Sequence, residues 1–113
     1  MTCGAIRLPA AMAPAVDQTI GRGWFPLLAR LHSQLSTVTT DFAYADIRRE
    51  AGTLRCHVVY GDTVDSFTRG VCERLVDANV DESSTICEFC GRRGQVRQSP
   101  AGIWGVCGLC SEP

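Results

Sequence analysis

Residues 87–110 read CEFCGRRGQVRQSPAGIWGVCGLC and hold four of the chain's seven cysteines. The four form two C-x-x-C pairs, Cys87 with Cys90 and Cys107 with Cys110, and sixteen residues separate the pairs. Two residues between ligands allow one tight turn to direct both sulfur atoms at a single ion, and Zn²⁺ prefers four such ligands in a tetrahedron. The spacing therefore predicts a Cys₄ zinc site that all four residues share.

The segment between the two cysteine pairs predicts a β-hairpin. Two strand-like stretches, residues 94–98 and 102–106, flank the sequence SPAG, whose composition is typical of a turn. Gly91 follows the first pair directly and favours the sharp exit that a cysteine turn requires. Two cysteine turns joined by a hairpin make a zinc ribbon, so residues 83–113 are predicted to form a Cys₄ zinc-ribbon module.

The predicted zinc is structural, because four cysteines close its coordination shell. A catalytic zinc keeps one position for water and usually takes His or carboxylate ligands. A [4Fe–4S] cluster would accept the same four thiolates, and two disulfides would form if the protein were exported. A redox C-x-x-C of the thioredoxin type requires a βαβ setting, which the sequence does not show. The odd number of cysteines and their paired spacing favour a metal site in a reducing cytoplasm.

Upstream of the cysteines, the sequence predicts two helices and a hairpin. Apolar residues at helical spacing indicate a first helix over about residues 24–37. Residues 41–49 and 51–60 read as two strands joined at Ala51-Gly52, which predicts a β-hairpin. A second helix is expected within GDTVDSFTRGVCERLVDANV, with Asp62 as its N-cap. Its apolar face is expected to consist of Val64, Phe67, Val71, Leu75 and Ala78. The predicted fold class is α+β, two helices packed on a β-hairpin, with the zinc ribbon at the C-terminus.

Composition sets the domain organisation. Residues 1–18 are rich in Ala and Pro and show no periodicity, which predicts a flexible N-terminal arm. The chain of 113 residues is 45% hydrophobic, enough for a packed core, which we place at residues 19–82. No apolar run approaches the roughly 18 residues of a membrane span. We therefore expect a cytoplasmic protein that makes no membrane contact.

Charge favours a protein partner over nucleic acid. The chain carries a net charge of −1, and residues 41–82 hold five arginines against nine acidic residues. Nonspecific nucleic-acid binding depends on many cation–phosphate contacts, which this balance does not favour. An acidic segment instead suits a positively charged partner surface. The candidate partner-facing residues are Asp62, Asp65, Asp77, Asp81 and Glu82.

A second interpretation assigns nucleic-acid binding to the ribbon. Arginine side chains and a stacking ring can grip a single strand, and the candidate residues are Arg92, Arg93, Arg97 and Trp104. The favoured alternative is that these arginines offset the negative charge of a Zn(Cys)₄ centre and that the tryptophan packs the module. Cys56 and His57 are adjacent, but neighbours on a strand point to opposite faces. No catalytic set is predicted, and the protein is expected not to be an enzyme.

Three segments resemble an uncharacterised family of small bacterial and phage proteins. They are GWFPLLARL, ADIRREAGTLRCHV and STICEFCGRRGQ…GIWGVCGLC, and the resemblance covers about residues 21–110. Members of that family combine a Gly-Trp helix, a segment like K-E-K-F-G-x-L-R-F-Y and a closing I-C-E-x-C-G…G-W…C-x-x-C. This chain departs from the pattern at Ala51, where an aromatic residue usually sits, and at Cys56-His57. The resemblance implies a zinc ribbon and a mobile-element setting, and it brings no established activity.

These observations predict a non-enzymatic zinc protein that acts through protein–protein contacts. The mobile-element setting suggests a sharper hypothesis, that the protein inhibits a host defence complex such as CRISPR surveillance. It would do so by occluding a surface on which that complex binds nucleic acid.

Overall fold

The computed structural model describes residues 7–99 and 102–106, with the backbone alone at Gln95, 97–99 and 102–106. Its elements are α1 (Phe25–Val38), β1 (Phe42–Glu50), β2 (Thr53–Tyr60), α2 (Ser66–Ser83), β3 (Gln95–Ser99) and β4 (Gly102–Val106). The strands form two antiparallel pairs, β1 with β2 and β3 with β4. The predicted α+β class is confirmed. None of the helices in this part of the chain combines the length and apolar character that crossing a membrane requires.

The β1–β2 hairpin turns at Ala51-Gly52, as predicted. Both residues have a positive φ, 53° and 81°, as the two central residues of a type I′ turn require. On β1, a bulge lies between Tyr44 and Asp46. The extra residue changes the alternation, so that Tyr44 before the bulge and Ile47 after it both pack toward the core.

The core lies between this hairpin and the two helices. On β2, Leu54 and Val58 are buried while Arg55 and His57 are exposed, so the predicted alternation is confirmed. The first helix begins and ends one residue later than predicted. It contributes the expected leucine face, whose buried residues are Leu27, Leu28, Leu31 and Leu35. The fully buried Trp24 precedes it.

The second helix differs from the prediction in its start and in its buried face. Asp65, and not Asp62, is the N-cap, because its carboxylate accepts a hydrogen bond from the Thr68 N–H at 2.7 Å. The predicted apolar face is wrong at Phe67, which is 81% exposed, whereas Val64 is buried and Leu75 packs against the core. The buried residues of α2 are Cys72, Val76, Asn79 and Ser83. This face lies about 100° around the helix from the predicted one, and half of its residues are polar.

Asn79 and Ser83 are buried because hydrogen bonds satisfy their polar groups. The side-chain oxygen of Asn79 accepts bonds from Nε and Nη2 of Arg30 on α1, at 3.1 and 2.8 Å. The Ser83 hydroxyl accepts a bond from the Leu54 N–H on β2 at 2.8 Å. Polar contacts therefore join α2 to both neighbouring elements.

Residues 8–17 pack on the hairpin instead of forming the predicted loose arm. Met12 is fully buried in the core. The Asp17 N–H donates to the Ile47 carbonyl at 2.8 Å, along the outer edge of β1. For this segment the predicted arm is wrong, because it supplies apolar surface and an edge contact to the core. Residues 1–6 lie outside the described residues.

The second hairpin lies where the sequence predicts the strands of the ribbon. The expected strands were residues 94–98 and 102–106, and β3 and β4 match them to within one residue. Cys107 and Cys110 lie outside the described residues, so the zinc ribbon itself stays a prediction.

Replacing Gly70 with Ala is expected to stabilise the protein by about 0.5–1 kcal/mol. Gly70 lies inside α2, and a Cβ at this position would meet no atom within 4 Å. Alanine would therefore gain helix propensity without a steric cost. Urea unfolding followed by circular dichroism measures the change. An unfolding midpoint at or below that of the wild type would contradict the prediction.

Asp65→Ala is expected to lower stability at neutral pH, because α2 loses its N-cap. Hydrogen bonds from the backbone and side chain of Thr68 lower the pKa of Asp65. A lowered folded-state pKa stabilises above the unfolded value of about 4, and this contribution is lost as pH falls through the folded pKa. The difference in melting temperature between wild type and D65A should therefore shrink below about pH 4. Asp65→Asn, which keeps a capping oxygen, is the control and should retain most of the stability both at neutral pH and below about pH 4.

Candidate functional site

The first cysteine pair lies in a tight loop, residues 85–94, which we call the cysteine loop. The Cys87 N–H donates to the Arg92 carbonyl at 2.6 Å, and the Gly91 N–H donates to the Cys87 carbonyl at 2.9 Å. Gly91 has a φ of 81°, in the left-handed region that favours glycine. The sharp exit predicted after the second cysteine is confirmed.

A 3₁₀ turn, Arg22–Trp24, precedes α1 and holds the cysteine loop against the core. The Gly23 N–H donates to the Glu88 carbonyl at 2.7 Å, and the Trp24 indole N–H donates to the Ile86 carbonyl at 3.1 Å. A Cβ on Gly23 would lie 2.2 Å from the Cys87 carbonyl oxygen. The two backbones therefore approach more closely than any side chain would allow.

Glu88, inside the first C-x-x-C pair, has a fully buried carboxylate that pairs with Arg49 of β1. Nε of Arg49 lies 2.7 and 2.9 Å from the two carboxylate oxygens, and Nη2 lies 2.5 Å from Oε2. The Gly21 N–H also donates to Oε2, at 3.1 Å. The Glu88 side chain is 0% exposed and that of Arg49 is 15% exposed. Burial of a charge is tolerated when the partner charge and further hydrogen bonds satisfy it, as they do here.

The cysteine loop suits the first half of a metal site. Its backbone hydrogen bonds close a short turn around Cys87, which is buried, and Cys90, which is exposed. Such a turn can present two thiolates to one ion. The other two predicted ligands, Cys107 and Cys110, lie outside the described residues. Within residues 7–94 and at Val96, where side chains are described, no group of three or more metal-binding side chains is present, so the complete set stays a prediction.

The nucleic-acid candidates lie in the cysteine loop and the second hairpin. Arg92 and Arg93 are exposed. Arg97 lies on β3 and Trp104 on β4, and the strand register makes these two residues direct cross-strand partners. Cross-strand partners share one face of a hairpin. The backbone therefore places one candidate cation position beside the candidate stacking position.

The five acidic candidates do not lie in one place. Asp62 and Asp65 are exposed at the start of α2, whereas Asp77 and Asp81 are exposed one turn apart in its C-terminal half. At about 1.5 Å per helical residue, Asp77 lies roughly 18 Å along the axis from Asp65. Glu82 is bound by an arginine of α1 at 2.6 Å. A partner would therefore meet separate acidic sites.

Cys56 and His57 do not form a catalytic pair. His57 is exposed, while Cys56 is half-buried on the opposite side of β2, as predicted. Burial raises the pKa of the Cys56 thiol to about 12, and the charges of Glu73 and Asp46 add to the shift. The thiol is neutral at physiological pH, and a neutral thiol is a poor nucleophile.

A groove follows β2 on the side where α2 lies. It consists of two adjoining cavities of about 310 and 430 Å³, and His57 and Glu73 line both. We call it the β2–α2 groove. The packing of the helix beside the strand creates this groove, and hydrophobic periodicity does not predict it. The Glu88–Arg49 pair was not predicted either, because its only signal in the sequence is an acidic residue inside the first C-x-x-C pair.

The three segments that carry the family resemblance meet in the structure. Trp24 from the first, Arg49 from the second and Glu88 from the third all contribute to the attachment of the cysteine loop. No protein-family model, curated protein or solved structure matches the chain, so the resemblance stays a prediction that rests on these segments.

Proposed function

We propose that the protein is a non-enzymatic zinc protein that acts through contacts with a protein partner. The observation that carries this proposal is the attachment of the cysteine loop, whose Glu88 is buried and bonded to Arg49. A metal centre that begins in this loop is fixed to the core and is not tethered by a linker. Such an arrangement suits a rigid binding platform.

The zinc would be held by Cys87, Cys90, Cys107 and Cys110. Four thiolates leave no position for water or substrate, so the ion would supply folding free energy to the C-terminal segment. The backbone turn between Cys87 and Gly91 would hold the first two ligands in position before the ion binds.

The proposed partner presents an arginine-rich or lysine-rich surface. Asp77 and Asp81 are exposed on α2, where a cationic surface can reach them. Surfaces that bind nucleic acid have this character. We extend the proposal to a protein of the bacterial cytoplasm that covers such a surface on a host defence complex, of the CRISPR surveillance type. The support for this extension is the position of these charges together with the resemblance to mobile-element proteins.

Nucleic-acid binding by the second hairpin is the second candidate function. The observation that favours it is the cross-strand pairing of Arg97 with Trp104, with Arg92 and Arg93 exposed nearby in the chain. This candidate requires binding that weakens steeply with salt and on Arg→Ala substitution.

The full chain purified from zinc-supplied bacteria is expected to carry one Zn²⁺ per molecule, measured by elemental mass spectrometry. Cys87→Ser and Cys110→Ser should each lose most of this zinc, because each removes one of four ligands. Cys56→Ser, which changes a half-buried thiol outside the proposed set, is the matched control and should keep it. Full zinc content in C87S, or stoichiometric iron in the wild type, would contradict the assignment.

Affinity purification of the tagged protein from a bacterial host tests the partner. We expect a stoichiometric protein that remains bound after nuclease treatment. Loss of every partner on nuclease treatment, with recovery of nucleic acid, would favour the second candidate function. Recovery of neither, with no effect of expression on host defence, would contradict the proposal.

A further inference from the structure

We propose that the β2–α2 groove binds an extended peptide segment of the partner, which adds to β2 as a further strand and places a basic side chain against α2. This inference rests on the proposed protein-binding function, and it names the site on this chain and the chemistry of the segment that occupies it.

The first argument is that, among residues 7–99 and 102–106, β2 has a strand neighbour on one side only. The Gly61 N–H, one residue after β2, donates to the Asp41 carbonyl at 2.9 Å. Along an antiparallel strand, every second residue bonds to the partner strand in this way. Odd-numbered residues of β2 therefore bond to β1, and even-numbered residues direct their N–H and C=O groups away from it. The even-numbered residues are Leu54, Cys56, Val58 and Tyr60.

Three of these four outward N–H groups are available to a new strand. The Leu54 N–H is bonded to the Ser83 hydroxyl at 2.8 Å. Within the described part of the chain, the N–H groups of Cys56, Val58 and Tyr60 meet no acceptor. Their spacing is that of one antiparallel ladder over five residues, which is enough for a peptide to pair by its backbone.

The second argument is that a chain segment covers the outer edge of β1, whereas no described strand pairs with the outer edge of β2. On the outer edge of β1, Val16 and Asp17 contact Ile47 through a bridge and a backbone hydrogen bond. Edge strands are usually protected by short length, proline or a covering segment. β2 has eight residues and no proline. α2 reaches its edge at Leu54 through the Ser83 hydroxyl, and the described residues place no strand beside it.

The third argument is the shape of the groove. One cavity is lined by consecutive β2 residues from Arg55 to His57, and the other by consecutive residues from His57 to Tyr60. Successive side chains of a strand point to opposite faces. A space that runs along the strand edge is lined by consecutive residues in this way, so the lining fits a groove beside the unpaired backbone groups.

The fourth argument is the charge of the opposite wall. Glu73 and Asp77 lie one turn apart on α2 and face the groove. The arginines that reach the same cavity are already paired: Arg48 binds Asp46 at 2.9 Å, and Arg55 binds Glu50 at 3.1 Å. In the other cavity the cation Arg69 of α2 lies over the Tyr60 ring, and the Tyr60 hydroxyl donates to Glu73. Asp77 therefore carries the negative charge that the helix wall presents to the first cavity. A strand placed beside β2 would be stabilised by a Lys or Arg side chain directed at this wall.

A displayed library of random dodecapeptides, selected on the zinc-loaded full chain, tests the inference. We expect enriched peptides that lack proline in a central stretch and carry Lys or Arg at one position of it. A synthetic peptide from the selection is then added to the isotope-labelled protein, and amide hydrogen exchange is measured by NMR. The amides of Cys56, Val58 and Tyr60 should become at least about tenfold slower, because they gain carbonyl acceptors. The amides of His57 and Val59, already bonded to β1, serve as the internal reference and should change little.

Charge reversal tests the basic side chain. Asp77→Arg should weaken peptide binding about threefold to tenfold, because an attractive exposed contact becomes repulsive. Asp17→Arg makes the same change at an exposed acid on the opposite edge of the sheet, outside the groove, and should leave binding unaltered. The circular dichroism spectra of both variants establish that they fold.

Three outcomes would overturn the inference. The selection could enrich no peptide, the bound peptide could protect other amides, or D77R could bind the peptide as tightly as wild type. Protection of the three amides that rises with protein concentration alone would assign the edge to a second copy of this chain. A stoichiometric partner in the affinity purification that is retained by D77R and not displaced by the peptide would leave the proposed function standing and remove the groove from it.

Discussion

Glu88→Ala is expected to destabilise the protein by about 3–5 kcal/mol, a large share of the roughly 5–15 kcal/mol that holds a domain together. The substitution leaves the guanidinium of Arg49, 15% exposed, without the carboxylate that it contacts through Nε and Nη2. It also removes the acceptor of the Gly21 N–H. The Thr19 carbonyl, 2.9 Å from Nη2 of Arg49, stays in place but does not replace the lost negative charge. Removing one partner of a buried ion pair costs more than the pair itself contributed. Urea unfolding, with the midpoint and slope fitted together, measures the loss.

Glu82 supplies the matched control for this prediction. Its carboxylate also contacts an arginine, Arg30, at 2.6 Å, but the two side chains are 43% and 45% exposed. Water can solvate both groups after either is removed, so Glu82→Ala should cost less than about 1 kcal/mol. Similar losses for E82A and E88A would show that the burial of Glu88 is not what matters.

The double substitution Arg49→Met/Glu88→Leu separates the two possible causes of that loss. If the cost of E88A is mainly the charge left behind, removing both charges should recover much of the stability. If the cost is the lost attachment of the cysteine loop, the double variant should remain as unstable as E88A. We expect partial recovery, because the Gly21 N–H still lacks its acceptor.

The parts of the fold that the sequence predicted are those that local rules determine. The hairpin turn follows from the positive φ that Gly52 tolerates, and the buried face of α1 follows from leucines at helical spacing. The strands of the second hairpin follow from turn residues between two short apolar stretches. Each of these features is decided by residues that are close together in the chain.

The parts that the sequence did not predict depend on contacts between distant residues. Asn79 is buried because Arg30, 49 positions away, satisfies its side-chain oxygen, and a polar residue gives no apolar signal. Phe67 is apolar but 81% exposed, because it lies on the side of α2 opposite the buried Cys72 and Val76. Glu88 is buried because of Arg49, which lies on β1, 39 positions away in the chain. The candidate metal ligands followed from spacing alone, whereas the contacts that hold their loop did not.

Gly23→Ala is expected to cost about 3 kcal/mol and to displace the cysteine loop. The added Cβ would lie 2.2 Å from the Cys87 carbonyl oxygen and 2.5 Å from the Gly91 nitrogen. Both atoms belong to the backbone of the turn that carries the first cysteine pair, so no side-chain rotation relieves the clash. The hydrogen bond from the Gly23 N–H to the Glu88 carbonyl, 2.7 Å long, would also be strained or lost.

Gly70→Ala makes the same chemical change and is the control with the opposite sign. At Gly23 the methyl group meets backbone atoms, whereas at Gly70 it meets nothing within 4 Å and improves a helix. Urea unfolding of both variants should therefore separate them by about 4 kcal/mol in total. Zinc retention during dialysis against a chelator gives a second measurement, because a displaced cysteine loop should release zinc faster than in wild type while G70A should not. If G23A were as stable as G70A, the cysteine loop would not be attached to the 3₁₀ turn in the way that the backbone contacts indicate.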